Sequence, residues 1–223
     1  MAELRGVLLD IDGTLIDSND AHAQAWVEAF AEFGKVVKFE DVRRLIGMGG
    51  DRLMPKLTGI DSESKLGEQI AGRRRALFLQ SYLPKLRPFP KVRELLEALR
   101  RRDLVLVIAT SAGPEELEPL LRQAEIQDLI DEKTSSGDAD ESKPAPDIIE
   151  AAIERSGKRA GELVMLGDTP YDVTASKRAG VPCIAVRSGG WNDADLAGAV
   201  AIYADVADLL ARLDGSPLAA GRT

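Results

Sequence analysis

Two carboxylates separated by one residue, Asp10 and Asp12, stand where the apolar run GVLL gives way to DIDGTL (10–15). Such neighbours repel, and Asp and Gly are poor strand formers, so the pair is either a solvated turn or machinery that needs two acids. Phosphoryl transfer needs two. One carboxylate attacks phosphorus and forms an aspartyl-phosphate; the other protonates the leaving alkoxide and then deprotonates the attacking water. A carboxylate approaches a phosphate dianion only when the repulsion between them is offset. Lys143, in Ser142-Lys143-Pro144, offers a fixed cation for this. Asp168, in the stretch GDTPYD (167–172), joins Asp10 as an oxygen donor for Mg²⁺, an ion that favours carboxylate, phosphate and water oxygens. Thr110 and the backbone N–H groups around Ser111 are suited to donate to phosphate oxygens. Gly13 permits backbone angles that turn amides toward an anion. The charge on Asp10 is expected to hold a proton on Asp12 at neutral pH.

These residues meet only if the chain folds so that strand ends share one rim. Short runs rich in Val, Ile and Leu predict strands over 4–11, 104–110, 163–168, 181–186 and 201–204. They are nearly continuous rather than alternating, as in strands buried on both faces. Helical patterns over 90–102, 114–124, 146–156 and 170–179 alternate with them, each with a proline near its first turn, and Gly180 marks a helix stop. The fold class is therefore α/β, a doubly wound parallel sheet. In such sheets ligands collect beyond the carboxyl ends of the strands, which is where Asp10, Thr110 and Asp168 fall.

Residues 17–86 break the alternation, with helical patterns over 18–33, 39–46, 51–57 and 62–82 and no convincing strand. They are read as an inserted helical cap on a core formed by 1–16 and 87–223, hinged near Leu15–Ser18 and Lys85–Pro90. Ser18 or Asn19 is expected to cap the first cap helix. The final GSPLAAGRT is expected to be disordered.

With 223 residues, 44% hydrophobic and 30% charged, the chain has enough apolar material for a sizeable core. The formal charge of −8 supplies no broad basic field, which argues against nucleic acid and anionic membranes as partners. Arg73-Arg74-Arg75 and Arg100-Arg101-Arg102 are read as solvated helix faces. Cys183, the only cysteine, rules out an intrachain disulfide and is read as a buried small hydrophobe. No apolar stretch is long enough for a membrane span, and MAELRG lacks a signal peptide's apolar region. A cytoplasmic monomer is the expectation.

In their order, DIDGTL (10–15), ATS (109–111), SKP (142–144) and GDTPYD (167–172) resemble the signature blocks of the haloacid dehalogenase superfamily. The resemblance implies that Asp10 is the nucleophile and a Mg²⁺ ligand, and that Asp12 is the acid/base and lends its backbone carbonyl to the metal. It implies that Thr110 and Lys143 bind the phosphoryl group, that Asp168 ligates Mg²⁺, and that Asp172 supports the metal shell or Lys143. A Rossmann-like core of strand order 3-2-1-4-5, with a helical lid inserted after the first block, is implied too. The superfamily's true dehalogenases lack the second aspartate of the first block, so Asp12 favours phosphate chemistry. The position of His22, with Trp26 nearby, resembles the start of the cap in β-phosphoglucomutases and related phosphatases, where the histidine lies near the active site. A solvated histidine at a helix start is the plainer alternative, and Trp26 is read as lid core. Arg52, in the glycine-rich loop 47–52, is a candidate reader of a substrate anion. The phosphate-binding arginine of the mutases aligns with Gly50, which weighs against a bisphosphate-handling mutase.

The reading is a Mg²⁺-dependent phosphatase acting on a small phosphorylated metabolite of phosphoglycolate or sugar-phosphate type. A phosphomutase is the alternative, and a non-catalytic phospholigand sensor, which has no need of Asp12, a more distant one.

Overall fold

The computed structural model of the protein describes residues 3–219. Its centre is a sheet of parallel strands β1 (Gly6–Leu9), β2 (Val105–Ala109), β3 (Glu132–Thr134), β4 (Leu163–Gly167), β5 (Cys183–Val186) and β6 (Ala201–Tyr203), in the order β3-β2-β1-β4-β5-β6. This is the expected doubly wound α/β class, with the 3-2-1-4-5 order extended by β6. Strand β3 was not among the expected strands. Its three residues, Glu-Lys-Thr, carry no apolar run, and it lies at the sheet edge with only Thr134 buried.

Successive side chains of a strand point to opposite faces, and the core divides accordingly. On one face, Val7 and Leu9 of β1 join Leu106 and Ile108 of β2, Val164 and Leu166 of β4, and helices α5 (Val92–Arg100), α6 (Pro114–Gln123) and α9 (Val206–Ala211). Leu8, Val107 and Met165 join α7 (Asp147–Ser156) and α8 (Pro170–Arg178) on the other. Pro114 and Pro170 open α6 and α8 as expected, and Gly180, at φ 75°, follows α8 in the left-handed region.

Between β1 and β2 run α1 (Asn19–Glu32), α2 (Phe39–Arg43), α3 (Gly50–Thr58) and α4 (Lys65–Leu77), the last continuing into one π-helical turn, Phe78–Tyr82. Their apolar faces close on one another: Trp26, Ala29 and Phe30 of α1 pack with Leu53, Met54 and Ile70 in a cluster separate from the two sheet faces. Trp26 is thus packed as expected. No helix among the described residues is long and apolar enough to cross a membrane.

The end of the chain differs from expectation. Pro217–Ala219 forms a 3₁₀ turn, and Leu218 is fully buried in the larger sheet-face cluster, which it shares with apolar residues of α5 and α9. Residues 220–223 of the expected disordered tail lie outside the described residues.

Candidate active site

Register brings the sequence blocks together. Leu9 of β1 pairs with Ile108 of β2 and Leu166 of β4, all parallel, so the next residues of three adjacent strands, roughly 4.8 Å apart, emerge on one rim. Asp10 leaves β1 with its N–H bonded to the Leu166 carbonyl at 2.9 Å; Thr110 follows β2 and Asp168 follows β4. Lys143, on the segment leading into α7, reaches the same point and is completely buried. Its Nζ lies 2.6 Å from Asp10 Oδ1 and 2.7 Å from Asp172 Oδ1, and donates to the Ala109 carbonyl at 2.7 Å.

Asp10, Asp168 and Asp172 are all buried, with one carboxylate oxygen from each lying within 4.8 Å of the others. Two glycines leave room for Asp168. A Cβ on Gly13, whose φ is 79°, would stand 2.3 Å from Asp168 Oδ2, and one on Gly189 would stand 1.8 Å from it. Thr14 Oγ1 donates to Asp168 Oδ1 at 2.9 Å and Asn19 Nδ2 to Oδ2 at 3.1 Å. Burial, then the charges of Asp172 and Asp12, push Asp10 up to about 7 against the pull of Lys143. Burial and the neighbouring Asp10 and Asp172 raise Asp168 well above the ordinary carboxylate range. Burial disfavours the charged form of Lys143, but Asp10 and Asp172 outweigh it and hold the ammonium. Three acids facing one fixed cation leave negative charge uncompensated, and the donors are hard oxygens. The arrangement fits a divalent metal ion.

Asp172 does two jobs. Its Oδ2 accepts from the Thr169 N–H at 3.0 Å and the Thr169 hydroxyl at 2.6 Å, closing a capping box at the start of α8, while Oδ1 faces Lys143. Helix capping and support of the lysine therefore coexist in one side chain.

Asp12 points away from this group. Its Oδ1 accepts from Ser18 Oγ and lies 2.8 Å from His22 Nε2. Burial works against ionisation here, but His22, Ser18 and Arg74 prevail and lower its pKa. This corrects the expectation of a proton held on by Asp10: the partners of Asp12 stabilise its carboxylate more than burial opposes it. Ser18 likewise occupies the N-cap position of α1 without capping it, because its hydroxyl is turned to Asp12. Asn19 is turned to Asp168 instead of the helix end.

His22 is buried, stacked on Phe78 at 3.8 Å between ring centroids, and is not a solvated helix-start residue. Its Nδ1 lies 2.8 Å from Arg74 Nη2. A guanidinium can only donate, so Nδ1 accepts and the hydrogen-bond pattern assigns the proton facing Asp12 to Nε2. Arg74 also pairs with Glu116 of α6, which is buried, and lies over the Trp26 ring. The triplet 73–75 is thus not one solvated face: Arg73 pairs with Glu32 outside, and Arg74 turns inward. A chain Glu116–Arg74–His22–Asp12 joins α6, α4, α1 and the rim. Neither Arg74 nor Glu116 was anticipated. The signal for Arg74 was its place between buried Ile70 and Phe78 at four-residue spacing; nothing comparable marks Glu116.

A cavity of about 390 Å³ lies between the rim and α1–α4, lined among others by Asp10, Asp12, His22, Thr110 and Ser111. The buried Ser111 hydroxyl has no partner, and Thr110 Oγ1 accepts from the Ala112 N–H at 3.1 Å. Arg52 does not line the cavity; its Nη2 is 2.6 Å from Glu141, at the outer edge between α3 and the loop before Lys143. The anticipated anion reader is therefore committed to a carboxylate elsewhere. Cys183 is buried, and burial pushes its thiol up, as fits an inert core residue.

The family model of the haloacid dehalogenase-like hydrolases matches residues 7–186. The chain belongs to this family. A phosphoglycolate phosphatase from Nitrosospira multiformis is 31% identical over 83% of this chain and 84% of its own length. A hydrolase from Pseudomonas syringae superposes with a TM-score of 0.88 at 29% identity, over 95% of this chain and 98% of that one. The CbbY protein of Rhodobacter sphaeroides in complex with phosphate shares the fold, with a TM-score of 0.78 at 24% identity over 95% and 99% of the two chains.

Proposed function

We propose that the chain hydrolyses small phosphomonoesters through an aspartyl-phosphate on Asp10, with Mg²⁺ as cofactor. It is a phosphoric monoester hydrolase of the haloacid dehalogenase-like family, and its relatives include phosphoglycolate phosphatases. The observation that carries the mechanism is the meeting of Asp10, Asp168, Asp172 and Lys143 at one buried rim that opens on a cavity.

In this reading Asp10 and Asp168, with the backbone of Asp12, hold the ion, which when bound neutralises phosphate charge and keeps Asp10 ionised. Asp10 attacks phosphorus. Lys143, Thr110 and the region of Ser111 hold the phosphoryl oxygens and stabilise charge as it spreads over them. Asp172 holds Lys143. The charge of an incoming phosphate raises the pKa of Asp12, so that it takes up a proton from solvent, gives it to the leaving oxygen and then takes one from the attacking water, with His22 and Ser18 fixing its carboxylate. The Nε2–H of His22 donates a hydrogen bond to Asp12, so His22 orients the acid/base from the cavity lining.

The division into a core of 1–16 and 87–223 and a cap of 17–86 belongs to the same proposal. The cap closes over the substrate, excludes bulk water and opens for product release; its separate apolar cluster supports a unit able to move as one body. A monomer in the cytoplasm, where small phosphorylated metabolites circulate, completes the reading.

The test is phosphate release from an aryl phosphate with and without Mg²⁺, in the native chain and in Asp10→Asn. Release that needs the ion and disappears in the variant is expected. Full activity in the variant, with deamidation excluded by mass spectrometry, contradicts the nucleophile.

A further inference from the structure

The wall of the cavity opposite the rim holds two arginines, Arg74 and Arg75, and each is already matched. Arg74 pairs with Glu116 and Arg75 with Glu115. The glutamates are adjacent at the start of α6, and the arginines are adjacent on α4, so the two helices meet through a double pair. Arg74 is fixed further by His22 and by the Trp26 and Phe78 rings. Asp51 and Asp140 line the same space, and Asp51 Oδ2 accepts from the Ser142 N–H at 3.3 Å. Away from the phosphoryl end the lining thus holds four carboxylates and two guanidiniums, both guanidiniums paired.

An ester whose leaving group bears a second anion needs a free cation at this wall. Without one it must desolvate its charge against Asp51 and Asp140, or displace a glutamate from an arginine. Hydroxyls suit the wall. They donate to carboxylate oxygens whose remaining lone pairs are open and require no charge partner. A space of about 390 Å³ also admits a leaving group larger than a two-carbon acid.

We propose that this cavity selects phosphomonoesters with a hydroxyl-bearing leaving group that carries no second anion, and that Glu115 and Glu116 set the selectivity by occupying the arginines a second anion would need. The inference rests on the phosphatase reading and departs from the carboxylate substrate named for the relatives. It also weighs against a mutase that handles a bisphosphate.

The experiment compares kcat/KM of the Mg²⁺-loaded protein for glycerol 1-phosphate and a hexose 6-phosphate with that for phosphoglycolate and a hexose bisphosphate, using an aryl phosphate as reference. These esters are expected to exceed the two that carry a second anion by about tenfold or more, a difference of about 1.4 kcal/mol. Glu115→Gln, at an exposed position where folding is not at risk, frees Arg75 and should narrow the gap between glycerol 1-phosphate and phosphoglycolate several-fold. A preference for phosphoglycolate or the bisphosphate in the native chain overturns the inference, as does an unchanged ratio in Glu115→Gln. If the aryl phosphate is not cleaved either, the phosphatase reading fails and takes this inference with it.

Discussion

The rim and the wall of the cavity carry comparable numbers of charged groups and treat them in opposite ways. At the rim, Asp10, Asp168 and Asp172 face Lys143 alone, so buried negative charge is left over and two of the acids have raised pKa values. At the wall, each arginine has its glutamate. A buried charge without a partner is costly to hold, so a folded chain keeps such an imbalance where a ligand completes it. The paired arginines of the wall, by contrast, shape and hold the space.

The widest break in this comparison is at the rim's chemistry. Asp10→Asn is expected to lower phosphate release by about 10⁵-fold or more, on the scale of removing a nucleophile, and Asp12→Ala by roughly 10²- to 10⁴-fold, on the scale of removing a general acid/base; both are read from steady-state rates with an aryl phosphate. Stability then separates the two regions. In metal-free protein Glu116→Gln leaves the partly buried Arg74 guanidinium without its charge partner and should cost about 3–5 kcal/mol by denaturant titration. Asp168→Asn should raise the midpoint, because it removes one of the crowded charges.

A smaller effect is expected from pH. The folded pKa values of Asp10 and Asp168 lie above the ordinary carboxylate range. Their contribution to stability is therefore complete below that range and lost as pH rises through about 7. The metal-free protein should melt higher at pH 6 than at pH 8, and Mg²⁺ should recover most of the loss at pH 8; an identical loss with the ion bound would separate the pH effect from the rim. Least affected is Arg73→Ala. Arg73 neighbours Arg74 in sequence but pairs with Glu32 in solvent, so neither melting temperature nor rate should move measurably.

The same contrast explains what was legible in the sequence. The rim was readable because parallel strands in register place every carboxyl end on one side, so residues at strand ends converge without knowledge of side-chain contacts. The helical segment after β1 was readable as a break in alternation. Arg74 and Glu116 were not, because their meeting depends on how α4 settles on α6, and three consecutive arginines do not say which one turns inward without the buried neighbours Ile70 and Phe78 as guides. Ser18 and Asn19 looked like caps because that is the local use of their side chains, but tertiary partners Asp12 and Asp168 took both. β3 is too short and polar for any pattern to reveal.

The central claim is that Asp10 becomes phosphorylated during turnover. Rapid acid quench of the Mg²⁺-loaded protein turning over an aryl phosphate, followed by borohydride reduction and peptide mass spectrometry, reads it directly. Conversion of residue 10 to homoserine is the predicted result. Conversion at Asp12 or another acid, with residue 10 untouched, would contradict the account.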